Sequence, residues 1–455
     1  MLTVEQDVDE RTPFHFTWIG STKAKDHDGN ATTAIDVSHS IYHSLLLPGH
    51  KTTEEFIHLH YTPQAIFRVR PPTSLASSIP SHLSPILCTS FSPATSSRLA
   101  TGSGDNTARI FDTDTGTPLH TLKGHTSWVL VVSWAPDDSL LATGSMDNTV
   151  RLWDPKSGTE VGTPLSGHTK WITGIAWESY HLQSPGRPRL ASSSKDSTIR
   201  IWDAVNKRIE NVLSGHKGNV SCVRWGGTGW IYSASHDKTI KVWDANKGTL
   251  VATLNAHAHW VNHLALSTDL VLRTGFYDHK SSSGVPESRE NKVQKAKERF
   301  RAAALIDGEV VERLVSASDD FTMYLWEPGR QTKPLARLMG HQKQVNHVSF
   351  SPDGHWIASC GFDNHVKLWS ARDGTFVATL RGHVGPVYMT CFSPDSRLLV
   401  SGSKDTTLKI WEVRTRKMKE DLIGHLDEVF AVDWSVDGAK VGSGGKDKAL
   451  RLWRH

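Results

Sequence analysis

Apolar and polar residues alternate along most of the chain in short runs that predict β-strands. Runs such as "WVLVVSW" and "TVRLW" are rich in β-branched and aromatic residues and are bounded by turn sequences such as "PDD", "PDG" and "KSG". The pattern recurs in eight units, each with a strand that ends on an aromatic residue: Phe111, Trp153, Trp202, Trp243, Trp326, Trp369, Trp411 and Trp453. A single antiparallel four-stranded unit cannot bury both of its faces, so the spacing predicts that the units stack on one another.

A polar pattern recurs with the same period. An aspartate lies six residues before each aromatic residue, at Asp105, Asp147, Asp196, Asp237, Asp320, Asp363, Asp405 and Asp447. A hydroxyl residue lies four residues before each aspartate, at Thr101, Thr143, Ser192, Ser233, Ser316, Ser359, Ser401 and Ser443. A histidine lies further upstream, at His125, His168, His216, His257, His341, His383 and His425, with a weaker first copy at His82.

Histidine, aspartate and serine together can be catalytic, but eight copies of one set indicate architecture. A catalytic constellation is normally unique, because one geometry must face one substrate. We therefore interpret the set as a buried relay in which the aspartate and the hydroxyl orient the histidine, with the tryptophan N–H as a further donor. Outside the repeat there is no unique nucleophile, phosphate-binding glycine loop or closed metal set, so the sequence predicts neither an enzyme nor a cofactor of its own.

The repeat, with motifs such as "GSMDNTVRLWD", resembles the WD-repeat family over 65–455, about four-fifths of the chain. The resemblance implies an all-β, eight-bladed propeller. The chain departs from the family pattern where Phe111 replaces tryptophan and where the final aspartate is replaced by Glu327, Ser370, Glu412 and Arg454.

The two ends of the repeat region predict how the ring closes. A fourth strand follows the aromatic residue in the other units, yet the chain stops two residues after Trp453. The segment "AIFRVRPP", residues 65–72, alternates correctly and precedes the first unit. We expect it to supply the missing strand of the last blade and so to remove an exposed edge.

The fifth unit is interrupted. His257 and Asp320 are about 63 residues apart, whereas most units separate the two residues by about 22. The inserted residues, roughly 278–312, contain "ENKVQKAKERFRAAALI", which predicts a basic helix after the flexible "SSSG". One interpretation is a solvated surface helix, and the other is an arm that touches RNA or an acidic partner.

Positions that vary within the repeat are better candidates for binding than positions that recur. The turns before the aspartates and the third residues after the histidines should ring one face of the propeller. Exposed aromatic and basic side chains on such a rim are typical anchors of interfaces, although a tryptophan there can also pack between blades. The candidates for partner binding are Trp128, Met146, Trp171, Lys195, Trp260, Phe362, Lys404 and Lys446.

Composition is that of a cytosolic or nuclear scaffold. Hydrophobic residues make up 38% of the chain and charged residues 22%. Cys88, Cys222, Cys360 and Cys391 lack metal spacing and fall in predicted strands, so we expect reduced thiols. The acidic N-terminal sequence predicts no signal peptide, and no segment is long and apolar enough for a membrane span. The net charge of +4 permits residence near nucleic acid but does not demonstrate binding.

Residues 1–64 do not follow the repeat. They include "TPFHFTWIG", "AIDVSHSIYHSLLL" and "TTEEFIHLHYTP", which predict two strands around a mixed apolar segment in a small α+β module. The order of "DVSHSIYHSLLLPGHKTTEEFIHLHYTPQAIFRVRP", the eight units, the interrupted fifth unit and the ending "SGGKDKALRLW" resembles the Notchless family of large-subunit ribosome assembly factors, essentially from end to end. That family has an N-terminal ubiquitin-like domain that begins with a β-hairpin. This chain starts near the helix that should follow the hairpin, so we expect an incomplete ubiquitin-like domain over 1–64.

The resemblance implies a mechanical adaptor in the nucleus and nucleolus. In this family the propeller sits on the large-subunit precursor, in contact with assembly factors and rRNA, and the N-terminal domain is gripped by midasin, a giant AAA-type ATPase. An acidic side chain of the adaptor completes the coordination of a Mg²⁺ ion held by midasin. The matching position here is Glu54, with Glu55 as the rival ligand; a hard divalent cation prefers carboxylate oxygen.

The residues alone leave other interpretations open. "TTEE" is also typical of a helix-capping sequence or a solvated turn. The whole chain could instead be a generic WD-repeat adaptor, such as a substrate receptor of a ubiquitin ligase or a signalling scaffold. A small-molecule substrate is not expected for either class.

Overall fold

The structure, a computed structural model, describes residues 68–278, 288–306 and 308–455, together with two short strands nearer the N-terminus. The chain divides into two compact units, Met1–Arg68 and Val69–His455. In the first unit, Thr17–Trp18 pairs antiparallel with Ile35–Asp36. The remainder of the predicted ubiquitin-like domain, with Glu54 and Glu55, lies outside the described residues.

The second unit is an eight-bladed propeller within the described residues, as the sequence predicts. Each blade is an antiparallel sheet whose strands follow one another in the chain. The first strands of blades 1 to 8 are Ile86–Phe91, Val129–Trp134, Ile172–Trp177, Val220–Trp225, Val261–Leu266, Val345–Phe350, Val387–Phe392 and Val429–Trp434. First strands of neighbouring blades contact each other all the way round, and that of blade 8 contacts that of blade 1. The ring is therefore closed around a central channel lined by the first strands.

The second and third strands lie further from the channel. The second strands are Arg98–Ser103, Leu141–Ser145, Arg189–Ser194, Trp230–Ser235, Leu314–Ser318, Trp356–Gly361, Leu398–Ser403 and Lys440–Gly445. The third strands are Thr107–Asp112, Val150–Trp153, Thr198–Asp203, Thr239–Asp244, Thr322–Trp326, Val366–Ser370, Thr407–Glu412 and Ala449–Arg454. Each third strand contains the recurring aromatic residue.

Outer strands follow directly in the chain in six blades: Thr117–Lys123, Arg208–Ser214, Thr249–Asn255, Ala336–Met339, Phe376–Leu380 and Lys417–Ile423. In blade 2 only two isolated bridges, Val150 to Leu165 and Trp153 to Glu160, continue the sheet. Pro164 lies within this segment and has no N–H to donate, which is consistent with the reduced pairing.

Blade 8 takes its outer strand from the segment that precedes blade 1, as the sequence predicts. The strand is formed by different residues from those expected. Ser74–Pro80 pairs antiparallel with Ala449–Arg454. The expected closing strand, 65–72, is wrong: its described residues, from Arg68 onward, lie outside any strand. Pro71 and Pro72 cannot donate ladder hydrogen bonds, and the N–H of Val69 instead donates to Oδ2 of Asp395 at 2.7 Å.

The hydrophobic core lies between neighbouring blades. Ile199, Ile201 and Leu213 of blade 3 pack against Val223 and Trp243 of blade 4, for example. Trp243 is 2% exposed. Because each blade buries its face only against the next, the closed ring is needed to bury the apolar surface of all eight.

The insertion joins the first and second strands of blade 5, and it begins earlier than the expected residue 278 because α1 belongs to it. It contains helices α1 (Asp269–Thr274) and α2 (Arg289–Ala304) and a small hairpin, Leu305–Ile306 with Glu309–Val310. The predicted basic helix is thus confirmed as α2, whose N-cap, Ser288, accepts a hydrogen bond from the N–H of Asn291. A 3-10 helix, Tyr180–Leu182, occupies the corresponding connection of blade 3 and contacts α2.

Candidate interaction faces of the propeller

Strand direction assigns every loop to one of two faces. Because the strands of a blade are antiparallel, the turn before the first strand and the turn between the second and third strands lie at the same end. We call this end the upper face, and the opposite end, which carries the insertion of blade 5, the lower face.

The repeated histidines and aspartates form hydrogen-bond chains inside the blades. In blade 3, Nδ1 of His168 lies 2.9 Å from Oδ2 of Asp196, and Nε2 lies 2.8 Å from Oγ of Ser192. The indole N–H of Trp202 donates to the same Oγ at 2.8 Å. A carboxylate only accepts and an indole N–H only donates, so Nδ1–H donates to Asp196 and the Ser192 hydroxyl donates to Nε2.

The same contacts occur in all eight blades among the described residues. The distances are 2.7–2.9 Å from Nδ1 to the aspartate and 2.7–2.8 Å from Nε2 to the hydroxyl. The histidines concerned are His82, His125, His168, His216, His257, His341, His383 and His425, and their partners include Asp147, Asp196, Asp237, Asp320, Asp363, Asp405 and Asp447. Blade 1 lacks the indole donor, because Phe111 replaces tryptophan.

Burial and hydrogen bonding set the charge state of the aspartate in these chains. The side chains of His168 and Asp196 are 1% and 6% exposed. Burial by itself would raise the pKa of Asp196, but hydrogen bonds from His168 and Thr198 hold that pKa well below its usual range. The carboxylate is therefore ionised and engaged in hydrogen bonds within the blade.

The predicted partner-binding residues lie on the upper face, in the turns at the rim of the propeller. Trp128, Trp171 and Trp260 are 50%, 40% and 45% exposed, and Phe362 is 37% exposed. Met146 is half-buried in the turn beside Trp128, whose carbonyl accepts the Met146 N–H. Trp128, Trp171 and Trp260 therefore lie at the rim rather than within the core between blades.

Two of the exposed tryptophans on the upper face have ordered neighbours. Nζ of Lys195 lies 4.1 Å from the ring centroid of Trp171. The rings of Trp260 and His236 are stacked at 4.4 Å with an interplanar angle of 5°. These contacts hold the two indoles in fixed positions on the upper face.

The remaining predicted lysines are paired with acids. Lys404 lies 3.7 Å from Glu428, and Lys446 lies 3.4 Å from Asp427. Leu83, Val384 and Leu426, which the sequence did not single out, are the neighbours of relay histidines and are 80%, 83% and 85% exposed. The upper face thus has an aliphatic sector at blades 7, 8 and 1. The sequence feature that could have predicted this sector is the apolar residue directly after the relay histidine.

The lower face holds a feature that no local sequence pattern predicts. Helix α1 lies across the channel mouth, where Asp269 is 3.7 Å from Arg224 of blade 4 and Arg273 pairs with Asp433 of blade 8. Arg273 also donates to the carbonyl of Phe91 in blade 1 at 2.9 Å. Blades 4 and 8 are opposite each other in a ring of eight, so α1 connects the two sides of the channel.

Helix α2 packs against the lower face instead of projecting from it. Phe300 is 5% exposed, and its ring lies against Gly227, where a Cβ would collide with it. Arg299 donates to the carbonyls of Gly275 and Tyr277, and Nζ of Lys292 lies 4.8 Å from the ring of Phe276. Two basic side chains of α2, Arg299 and Lys292, therefore make contacts within the protein.

Two further observations concern chemistry within the described residues. All four cysteines are free, and burial raises the pKa of Cys88 and Cys391 to about 12, so both thiols are protonated at neutral pH. Among the same residues, no group of three or more histidine, cysteine, aspartate or glutamate side chains is arranged to hold a metal ion. No helix there has the length and apolar character of a membrane span.

These features define a WD-repeat β-propeller. The family model of the WD40 domain, described as "WD domain, G-beta repeat", matches residues 73–112, 116–154, 158–203, 207–244, 332–370, 374–412 and 416–454. The computationally designed Ika8 protein has a similar crystal structure, with a TM-score of 0.64 and 24% identity over 83% of this chain and 98% of that one. At this identity the likeness shows the fold alone.

Similarity to curated proteins is much closer. The chain is 56% identical to ribosome assembly protein 4 of Saccharomyces cerevisiae over 82% of this chain and 72% of that protein. It is 61% identical to ribosome assembly protein 4 of Chaetomium thermophilum over 73% of this chain and 65% of that one, and 49% identical to protein Notchless of Drosophila melanogaster over 66% and 61%. The chain belongs to the family of ribosome assembly protein 4 and Notchless.

Proposed function

We propose that the chain is a non-enzymatic assembly factor of the large ribosomal subunit that acts in the nucleus and nucleolus. The observation that carries the proposal is the 56% identity to ribosome assembly protein 4 over 82% of this chain. The geometry is compatible with a platform, because the repeated histidines and aspartates are buried and engaged with one another. Activity is thereby left to the two faces and to the N-terminal unit.

The propeller binds pre-ribosomal proteins and rRNA in this proposal. The supporting surface is the upper rim, where aromatic side chains are held in place and exposed. Aromatic residues in fixed positions are typical anchors, because they bury a large area at low cost in conformational entropy.

The N-terminal unit is gripped by midasin, and Glu54 completes the coordination of a Mg²⁺ ion that midasin holds. The support is the resemblance of "KTTEEF" to the corresponding segment of the Notchless family, and the preference of Mg²⁺ for carboxylate oxygen. Glu55 is the alternative ligand. Force from ATP hydrolysis would then pass through this unit into the propeller and remodel the precursor.

The test is affinity purification of the tagged intact chain from cells, scored for large-subunit precursors and for midasin, with Mg²⁺ or with a chelator. We expect precursors under both conditions and midasin only with Mg²⁺. Glu54→Ala should lose midasin and keep the precursors, whereas Glu55→Ala serves as the matched control and should keep both. Recovery of ubiquitin-ligase components without precursors would refute the proposal and favour the generic adaptor.

A further inference from the structure

The upper face is divided by charge as well as by side-chain type. On the rim turns of blades 3 and 4, the side chains of Lys170, Lys195, Lys217 and Lys238 are exposed. In the described part of the chain, none of these four lysines forms an ion pair with an acidic side chain. The lysines of the opposite sector, Lys404 and Lys446, are in contrast neutralised by Glu428 and Asp427.

We call the upper-face turns of blades 3 to 5 the basic sector. The carboxylates in this sector already accept hydrogen bonds from other side chains. Asp196, Asp237 and Asp320 accept hydrogen bonds from the relay histidines. Asp319 is the one further acid in the rim turns of blades 3 to 5 among the described residues; it is 20% exposed and accepts a hydrogen bond from Asn262 at 2.7 Å. These acids thus leave the four exposed lysines without an ion-pair partner, although the largely buried relay carboxylates keep their negative charge.

Flat rings lie among these lysines. Trp171, Trp260 and Phe321 are 40%, 45% and 42% exposed. Lys238 and Phe321 each directly follow the relay aspartate of their blade. Their φ angles are 72° and 67°, a left-handed conformation that disfavours large side chains. Both side chains nevertheless project from the rim at this position.

We propose that this sector, formed by the rim turns of blades 3 to 5, binds single-stranded RNA. Lysines that follow a phosphate backbone, interspersed with aromatic faces on which bases stack, form the usual combination for single-stranded nucleic acid. The exposed aliphatic residues that would anchor a peptide lie in the other sector, at Leu83, Val384 and Leu426. The inference rests on the proposed function and assigns one of its partners to a defined surface.

Binding can be measured by fluorescence anisotropy with the purified full chain and a fluorescein-labelled, unstructured 15-nucleotide RNA of mixed sequence. We expect Trp171→Ala to weaken binding roughly fivefold or more, since the loss of one stacked base costs about that much affinity or more. Lys195→Glu combined with Lys217→Glu should weaken binding at least tenfold and reduce its salt dependence. Because these side chains are exposed, the variants should melt like the parent chain.

Matched controls locate the site and identify the ligand class. Lys404→Glu and Lys446→Glu, on the same face but in the paired sector, should leave RNA affinity within about twofold. Equal affinity for the RNA annealed to its complement would overturn the stacking mode. Equal competition by a polyglutamate peptide, or equal effects of the control lysines, would overturn the assignment to RNA at this sector.

The two proposals can fail separately. A chain that recovers precursors from cells but does not bind the RNA probe would refute only this inference. A chain that binds the probe through Trp171 and Lys195 but recovers no precursors would refute the proposed function.

Discussion

Arg273 joins the insertion of blade 5 to blade 8 through two hydrogen bonds with Asp433, at 2.9 Å from Nη1 to Oδ1 and 2.5 Å from Nη2 to Oδ2. The side chains are 28% and 7% exposed. Removal of one partner leaves the other charge poorly solvated, so Arg273→Ala should lower the free energy of unfolding by about 3 kcal/mol. Chemical denaturation of Arg273→Ala, Asp433→Ala and the double variant measures the coupling. Strict additivity of the two single effects would show that the pair does not interact.

The relay predicts a stability effect for each of its histidines. His168→Ala leaves Asp196 and Ser192 without their partner and should destabilise the propeller by about 1–3 kcal/mol. His355→Ala, at an exposed position, is the matched control and should melt like the parent chain. A His168→Ala variant that melted normally but lost a specific activity would contradict the structural role.

Stability should also fall in mild acid because of histidines in the channel. Burial lowers the pKa of His347 from 6.5 to about 3, and Arg224 contributes to the lowering. Burial likewise lowers the pKa of the neighbouring His263 well below 6.5. The unfolded chain takes up protons on these groups below pH 6.5 whereas the folded chain does not, so unfolding becomes more favourable as the pH falls.

Thermal melts between pH 7 and pH 5 test this dependence. The Tm should decrease with pH, and His347→Gln should reduce the slope, while the exposed control His355→Gln should not. The relay aspartates do not interfere in this range: burial alone would raise the pKa of Asp105, but its hydrogen bonds lower it to about 2, so its contribution is present above its ordinary pKa of 3.8. Identical slopes for His347→Gln and the parent would show that the channel histidines do not cause the effect.

The closing strand provides a test by truncation. A chain that begins at Val69 keeps Ser74–Pro80 and should form the closed propeller. A chain that begins at Ser81 leaves Ala449–Arg454 as an exposed edge, so we expect a lower Tm and more light scattering from aggregates. Equal melting of the two chains would mean that Ser74–Pro80 is dispensable for closure.

Repetition made the blades predictable. Each unit has an aromatic residue with an aspartate six residues before it. The aromatic residue identifies the third strand, because side chains in a strand alternate with period two, and the aspartate identifies the preceding turn, because turns need particular residues. The eight stacked units followed from these positions, and the propeller fold followed from their resemblance to the WD-repeat family. The position of the closing strand did not, because 65–72 and 74–80 both precede the first unit and only pairing with Ala449–Arg454 distinguishes them.

Repeated sequence patterns do not predict contacts between residues that are far apart in the chain. Arg273 and Asp433 are separated by 160 residues, and nothing near either residue indicates the other. The composition of α2 predicted a helix, but the inward direction of Arg299 depends on carbonyls at Gly275 and Tyr277 that only the folded insertion provides. Similarly, the repeat predicted both lysines and aromatic residues on this face, and only the ion pairs of Lys404 and Lys446 distinguish its two sectors.

Blade 8 combines Ser74–Pro80 with three strands from the last part of the chain, and this arrangement affects synthesis. A ribosome must release Ala449–Arg454 before the outer strand has its partner, although that outer strand emerged hundreds of residues earlier. Until then Ser74–Pro80 has no strand to pair with. Blade 8 is therefore completed late, and the closing contact is the most non-local strand pairing of the propeller.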